Sequence, residues 1–387
     1  MARPGLERQL AIYGAGVPLE HPVAFDDWET RAEAILDPGA FGYVAGGAGS
    51  EDTMRANRAA FRRWRLRPRY LRDVAERELS IEILGTPAPA PFLLAPVGVL
   101  SIVHPEAELA VARAAATTGT PLILSSVSSF TLEQVAEAGG DGPRWFQLYP
   151  PKDRDLLVSL LRRAERAGYH AIVLTVDTTM LGWRERDLKL AYFPFLGAQG
   201  VANYFADPAF RAGLAQPPEA DPRAAVLRFL DVFINPSFSW EDVRFVRQQT
   251  SLPLLIKGLT HPDDAELAVE AGADGVIVSN HGGRQVDGAI AALDALPAIA
   301  GRVAGRVPLL FDSGIRGGAD ALKALALGAA AVLLGRPYVY GLAVAGTAGV
   351  EQVIHNLTAD LDLTLALCGR RDVAEIDGSL VSRVANE

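Results

Sequence analysis

Cysteine is almost absent from this sequence: Cys368 stands alone among 387 residues. A single thiol excludes an intrachain disulfide and any metal site built on several cysteines, and no metal site is expected. It agrees with a reducing, cytoplasmic setting. An excess of positive charge is lacking too. Lys and Arg number 37 against 46 Asp and Glu, for a formal net charge of −9. That balance argues against a nucleic-acid partner, which needs clustered Lys and Arg. It leaves room for a few placed arginines that hold a small anion. Residues 1–16 contain no apolar h-region, so no signal peptide is read. The uncharged stretch 83–103 is long enough to span a bilayer, but Pro87, Pro89, Pro91 and Pro96 would break a spanning helix. It is expected to be a loop entering a buried strand, with no membrane span. No G-x-G-x-x-G follows the first strand candidate, and no G-x-x-x-x-G-K-[ST] occurs, so neither phosphate-binding fingerprint applies.

What is present is apolar and rhythmic. Apolar residues make up 49% of the chain, enough for a large core. From about residue 90, short apolar runs alternate with amphipathic stretches. Strand candidates are 92–96, 121–126, 145–149, 171–177, 254–257, 275–280, 309–312 and 331–335; helices are read at 106–118, 152–167, 240–249, 263–271 and 319–327. Most strands are uniformly apolar, as strands buried on both faces are. This predicts an α/β fold: a (β/α)8 TIM barrel over roughly 91–345 with an N-terminal helical extension, in a single domain 1–387. An open doubly wound sheet is the alternative. One connection is out of proportion. Residues 182–239 hold no clear strand and six prolines, yet include Tyr192, Phe193, Phe195, Tyr204, Phe205 and Phe210. A lid-like insertion with at least partial order is expected after the fourth strand.

The polar residues sit where such strands end: Ser125, Gln147 and Tyr149, Thr175 and Asp177, Lys257, Ser279 and His281, Asp312, and Arg336. Each alone is more simply a cap or a snorkelling chain. Together, in a closed barrel, they converge on one rim, where barrel enzymes do their chemistry. His281, just past a strand, suits a base near neutral pH. Gly282 and Gly283 permit a sharp turn, and the planar fork of Arg284 matches a carboxylate. The stretch Asp312-Ser313-Gly314-Ile315-Arg316 and the pair Gly335-Arg336 fall after strands seven and eight, the usual phosphate site of barrels.

Ser279-Asn280-His281-Gly282-Gly283-Arg284-Gln285 resembles the signature of the FMN-dependent 2-hydroxy-acid oxidases, the group of glycolate oxidase and lactate oxidase. The likeness runs in order through Tyr43, Arg67-Pro68-Arg69, Ala95-Pro96-Val97-Gly98, Phe146-Gln147-Leu148-Tyr149, Thr175-Val176-Asp177-Thr178 and Gly335-Arg336-Pro337. Within the family, Tyr43-Val44-Ala45-Gly46-Gly47, Gly182-Trp183-Arg184 and the insertion with Phe193-Pro194-Phe195-Leu196 are most similar to the lactate 2-monooxygenase subgroup. Many oxidases carry another basic residue where Trp183 stands and alanine where Gly98 stands.

The resemblance implies FMN as cofactor, with a small L-2-hydroxy acid and O2 as partners. Pro96, Val97 and Gly98 would line the flavin, Gly98 leaving space for oxygen. Ser125, Gln147, Thr175 and Ser279 would hydrogen-bond it, and Lys257 would offset negative charge on the reduced ring. Asp312, Ser313, Gly314, Arg316, Gly335 and Arg336 would hold ribityl and phosphate. Arg184 and Arg284 would clamp the substrate carboxylate, Tyr43 and Tyr149 its other oxygens. His281 would be the base and Asp177 its orienting carboxylate. The implied product is acetate from L-lactate, with an oxidase releasing pyruvate and peroxide as the alternative. A flavin-dependent isomerase and a non-catalytic FMN-binding barrel are readings from other classes. The family also implies a homotetramer or homo-octamer.

Overall fold

The computed structural model describes residues 4–17 and 19–384. Residues 1–3, 18 and 385–387 of the expected unit, including the start of the stretch read for a signal peptide, lie outside the described residues. Eight parallel strands close into a barrel: β1 (Phe92–Leu94), β2 (Leu122–Ser125), β3 (Arg144–Leu148), β4 (Ile172–Thr175), β5 (Leu254–Leu259), β6 (Gly275–Val278), β7 (Leu309–Phe311) and β8 (Ala331–Leu334). All eight lie within or beside the expected strand candidates, and β8 pairs with β1 through Leu333 and Leu93 to complete the circle. The open doubly wound sheet is thereby excluded. The uniform apolarity of the runs has its reason here. One set of side chains fills the barrel, including Leu93, Ile123, Val173, Leu255, Ile277, Leu310 and Leu333, and the other set meets the helices outside.

Two features differ from the sequence reading. The stretch expected to be only a loop contains half of a hairpin, Ile81–Ile83 paired with Thr86–Ala88. Pro87 is tolerated because the ribbon has only two strands and needs no donor on its open side. The hairpin lies against the barrel floor, where the Trp145 indole N–H donates to Thr86 Oγ1 at 2.8 Å. The chain end also returns: Val381–Arg383 pairs antiparallel with Trp64–Leu66.

The N-terminal extension is helical, as expected: Pro4–Ala15, Phe25–Ile35, Pro38–Ala45 and Asp52–Arg62. The insertion after β4 is ordered throughout, with helices Glu185–Lys189, Ala202–Phe205, Pro208–Ala212 and Pro222–Phe233 and a 3-10 turn Pro194–Gly197. Its aromatics explain the order, since Phe195, Tyr204, Phe210, Phe229 and Phe233 pack into one buried cluster. Among the described residues no helix is long and apolar enough to cross a membrane.

Candidate active site

At the C-terminal mouth of the barrel lies a cleft of about 1130 Å³, open volume included, lined by residues from all eight strand ends or the loops after them, together with Tyr43 and Val44 of the N-terminal extension. His281 follows β6 in the left-handed backbone region, φ 58°, with its amide donating to Ser279 Oγ. Its Nδ1 is 2.8 Å from Asp177 Oδ1. A carboxylate can only accept, so Nδ1 carries the proton and Nε2 keeps its lone pair toward the cleft. Nε2 lies 3.4 Å from the Tyr149 hydroxyl.

The electrostatics agree with a base. Burial holds the His281 imidazole below its ordinary range despite the pull of Asp177, so the ring is neutral at neutral pH. Burial works against charge on Asp177, but His281 and Lys257 outweigh it and keep the carboxyl low. Thr178, which no reading of single strand ends singled out, donates to the same oxygen at 2.9 Å. Gln285 is also new: its Nε2 donates to the Asp177 and Met180 carbonyls, and its Oε1 accepts from Arg184. Both residues stood inside quoted motifs, but nothing about their spacing revealed a bridging role.

Arginines line the same cleft as the imidazole. Arg284 donates to the Tyr43 and Gly46 carbonyls at 2.6 and 2.9 Å, and Arg336 to those of Val44, Gly46 and Gly282. These carbonyls include the C-terminal end of helix Pro38–Ala45, whose dipole favours cations. That is why the extension belongs to the site. Arg184 donates to the Arg284 carbonyl and Gln285, and both Arg184 and Arg284 lie over the Tyr43 ring. Burial and the neighbouring cations Arg184 and Arg336 bring the Arg284 guanidinium down to about 9. Burial with Arg336 nearby does the same to Arg316, also to about 9. Cations held together in this way call for an anion.

Ser125, Gln147, Thr175 and Ser279 do not open on the cleft wall; they lie buried at its floor. Ser125 Oγ donates to Gln147 Oε1 at 3.0 Å, whereas Gln147 Nε2 and Thr175 Oγ1 are buried with no partner. Lys257 reaches Ser279 Oγ at 3.0 Å and Asp312 at 3.1 Å. Burial opposes its charge, but Asp312 and Asp177 keep its ammonium above the ordinary range. Asp312, Ser313, Gly314 and Arg316 line one end of the cleft, with Gly335 and Arg336 at the start of helix Arg336–Leu367. Pro96, Val97 and Gly98 form a side wall. A Cβ at Gly98 would meet Val127 Cγ2 at 2.5 Å and its carbonyl at 2.6 Å. Glycine is therefore required by the approach of the loop after β2, whatever oxygen needs. Among the described residues, no group of His, Cys, Asp and Glu is placed to hold a metal ion.

Comparison with known proteins gives this constellation its family. The FMN-dependent dehydrogenase profile matches residues 32–383. The chain belongs to that family. It is 47% identical over 352 residues to an L-lactate oxidase of Lysinibacillus sphaericus, covering 91% of this chain and 90% of the relative. It is 41% identical over 363 residues to 2-hydroxyacid oxidase 1 of Homo sapiens, covering 93% and 96%. The crystal structure of a mandelate oxidase superposes with a TM-score of 0.84 at 38% identity, over 95% of this chain and 99% of the other. The chemistry is accordingly FMN-dependent oxidation of a 2-hydroxy acid at its CHOH group. The residues fit the cofactor: two unpaired buried polar atoms wait on the floor, a buried ammonium lies beside them, and two arginines with a helix N-terminus occupy the phosphate end.

Proposed function

We propose that this chain oxidises a small L-2-hydroxy acid, L-lactate foremost, with O2 as final oxidant, and that residues 1–387 work as one unit. The observation that carries the reading is that His281, bonded to Asp177, lines one cleft together with Arg184 and Arg284. FMN, when bound, takes two electrons from the substrate and passes them to O2. Arg184 and Arg284 bind the substrate carboxylate, and Tyr43 and Tyr149 hydrogen-bond its other oxygens. Burial keeps the Tyr149 phenol far above its ordinary range, so it stays a donor. His281 Nε2 takes a proton from Cα or from the hydroxyl, and Asp177 stabilises the imidazolium that results. Ser125, Gln147, Thr175 and Ser279 would hold the flavin ring, with Pro96, Val97 and Gly98 lining it. Lys257 would offset negative charge that builds on the ring. Asp312, Ser313, Gly314, Arg316, Gly335 and Arg336 would hold the ribityl and phosphate.

A second reading concerns the oxygen half-reaction. Phe195 and Phe233, both nearly fully buried, wall the cleft from the insertion side. Such a wall favours retention of pyruvate until peroxide decarboxylates it to acetate, which is lactate 2-monooxygenase chemistry. The L-lactate oxidase relative favours release of pyruvate and peroxide instead. Incubation with L-lactate in air, free of catalase, decides. Near-stoichiometric acetate with little peroxide supports the monooxygenase. Pyruvate with matching peroxide supports the oxidase. A yellow protein that L-lactate fails to bleach would overturn lactate as the substrate and turn the search to other 2-hydroxy acids. Assembly in the cytoplasm as a homotetramer or homo-octamer completes the proposal, supported by exposed Leu6, Leu10 and Tyr13 on helix Pro4–Ala15.

A further inference from the structure

Among the described buried acids that the reaction as read leaves unused, Asp207, Asp320 and Asp362 pair with arginines, whereas Glu108 has no cationic partner. Glu108 lies in the first turn of helix Ala107–Thr118 and is 2% exposed. Its Oε1 accepts from the backbone N–H groups of Leu100 and Ser129, both at 3.1 Å, and from the Ser129 hydroxyl at 3.4 Å. Its Oε2 is buried without a partner. Leu100 belongs to the loop after β1 and Ser129 to the loop after β2. These loops supply Val97, Gly98, Val99, Leu100 and Val127 to the cleft wall. Two further bonds join them: Val99 N–H donates to the Val127 carbonyl at 2.8 Å, and Ser101 N–H to Ser129 Oγ at 3.0 Å.

The first loop is under strain. Val99 sits at φ 60°, left-handed backbone that a β-branched residue rarely adopts. Such a conformation persists only where its surroundings over-determine it, and it clusters at functional sites. A housekeeping acid would be expected at the surface, or paired with a base. This one has neither position, and both of its backbone donors lie in loops that wall the cleft.

We propose that Glu108 is a positioning residue for the oxidation: one carboxylate oxygen clamps the loops after β1 and β2, holding Val97 to Val99 as a fixed wall against flavin and substrate. The inference rests on the cleft being the site proposed above. Burial pushes the Glu108 carboxyl up to about 6, which measures how little solvent reaches the clamp.

The test uses FMN-loaded protein and three variants. Glu108→Ala should slow anaerobic flavin reduction about 30-fold, mainly in kcat, since small misplacements at a reacting centre cost up to about 100-fold. It should also change the visible circular dichroism of bound flavin and weaken FMN binding several-fold. Glu108→Gln keeps an acceptor oxygen and should restore the rate to within about threefold, because the clamp needs an acceptor more than a charge. Ser129→Ala, which loses only the bridging hydroxyl, should cost about threefold. A parental rate and flavin spectrum in Glu108→Ala would overturn the proposal, as would Glu108→Gln being equally impaired. Should the alanine variant not fold, an unchanged rate and spectrum in Ser129→Ala overturns it. Should the parent oxidise no 2-hydroxy acid, the proposed substrate reading fails, while the flavin spectrum and FMN affinity still report on the clamp.

Discussion

The insertion after β4 is two structures in one. Its first part, about 182–192, rides on the rim. Trp183 is 70% exposed, and helix Glu185–Lys189 has no buried residue. It is held by a few polar contacts: Gly49 N–H to the Trp183 carbonyl, Arg186 to Glu51, and Arg184 to Gln285. The remainder, about 193–239, is docked like core. Asn203 bonds the Ser126 carbonyl and the Leu132 N–H, and buried Asp207 pairs with Arg163 at 3.0 Å. Only the rim part places an arginine, Arg184, in the cleft, whereas the docked part supplies the aromatic wall. Few buried contacts and many exposed ones mark a segment of low local stability. Under the proposed reading, substrate capture falls to the rim and enclosure to the wall.

Four substitutions sharpen or break this comparison. Asp207→Ala should cost about 3 kcal/mol of unfolding free energy, because it removes a buried charged acceptor of Arg163 and Ser159 and the cap of Ala209, while Arg163 keeps its pair with Glu133. Chemical denaturation reads this, and a loss near zero would mean the docked part is no anchor. Arg184→Met should leave stability nearly unchanged but lower kcat/KM for L-lactate about 100-fold, the scale of one lost charged hydrogen-bond pair. A large stability loss there would erase the contrast. Glu108→Gln tests the loop after β2, against which the docked part rests through Asn203 and Ala202. A buried acid whose folded pKa is raised favours its protonated form, so its cost is absent below about pH 4.5, grows as pH rises to about 6, and stays constant above. The glutamine variant should therefore gain on the order of 2 kcal/mol over the parent at pH 8 and nothing at pH 4. Trp183→Ala should change stability by less than about 0.5 kcal/mol, as exposed positions do.

Most of the architecture was legible because a closed parallel barrel writes itself locally. Each strand is a short apolar run, and most of the candidate site side chains fall at or just past the end of one, Tyr43 and Arg184 excepted. His281, Asp177 and Lys257 could be read from position alone. The hairpin Ile81–Ala88 was hidden because three-residue strands carry no periodicity and its prolines suggested a loop. The pairing of Trp64–Leu66 with Val381–Arg383 joins the two ends of the chain, which no local pattern reports. Nothing in the sequence marks Glu108, since the two loops it bonds approach it only in three dimensions. At Gly98 the structure adds a reason the sequence did not carry: a Cβ there would meet Val127.

The central claim is that His281, oriented by Asp177, takes the substrate proton as the flavin is reduced. Anaerobic mixing of FMN-loaded protein with L-lactate, following the visible flavin band, tests it directly against His281→Gln. The account predicts rapid bleaching in the parent, and in the variant a reduction slowed by about 10²–10⁴-fold with FMN still bound. Bleaching of the variant at the parental rate would contradict it.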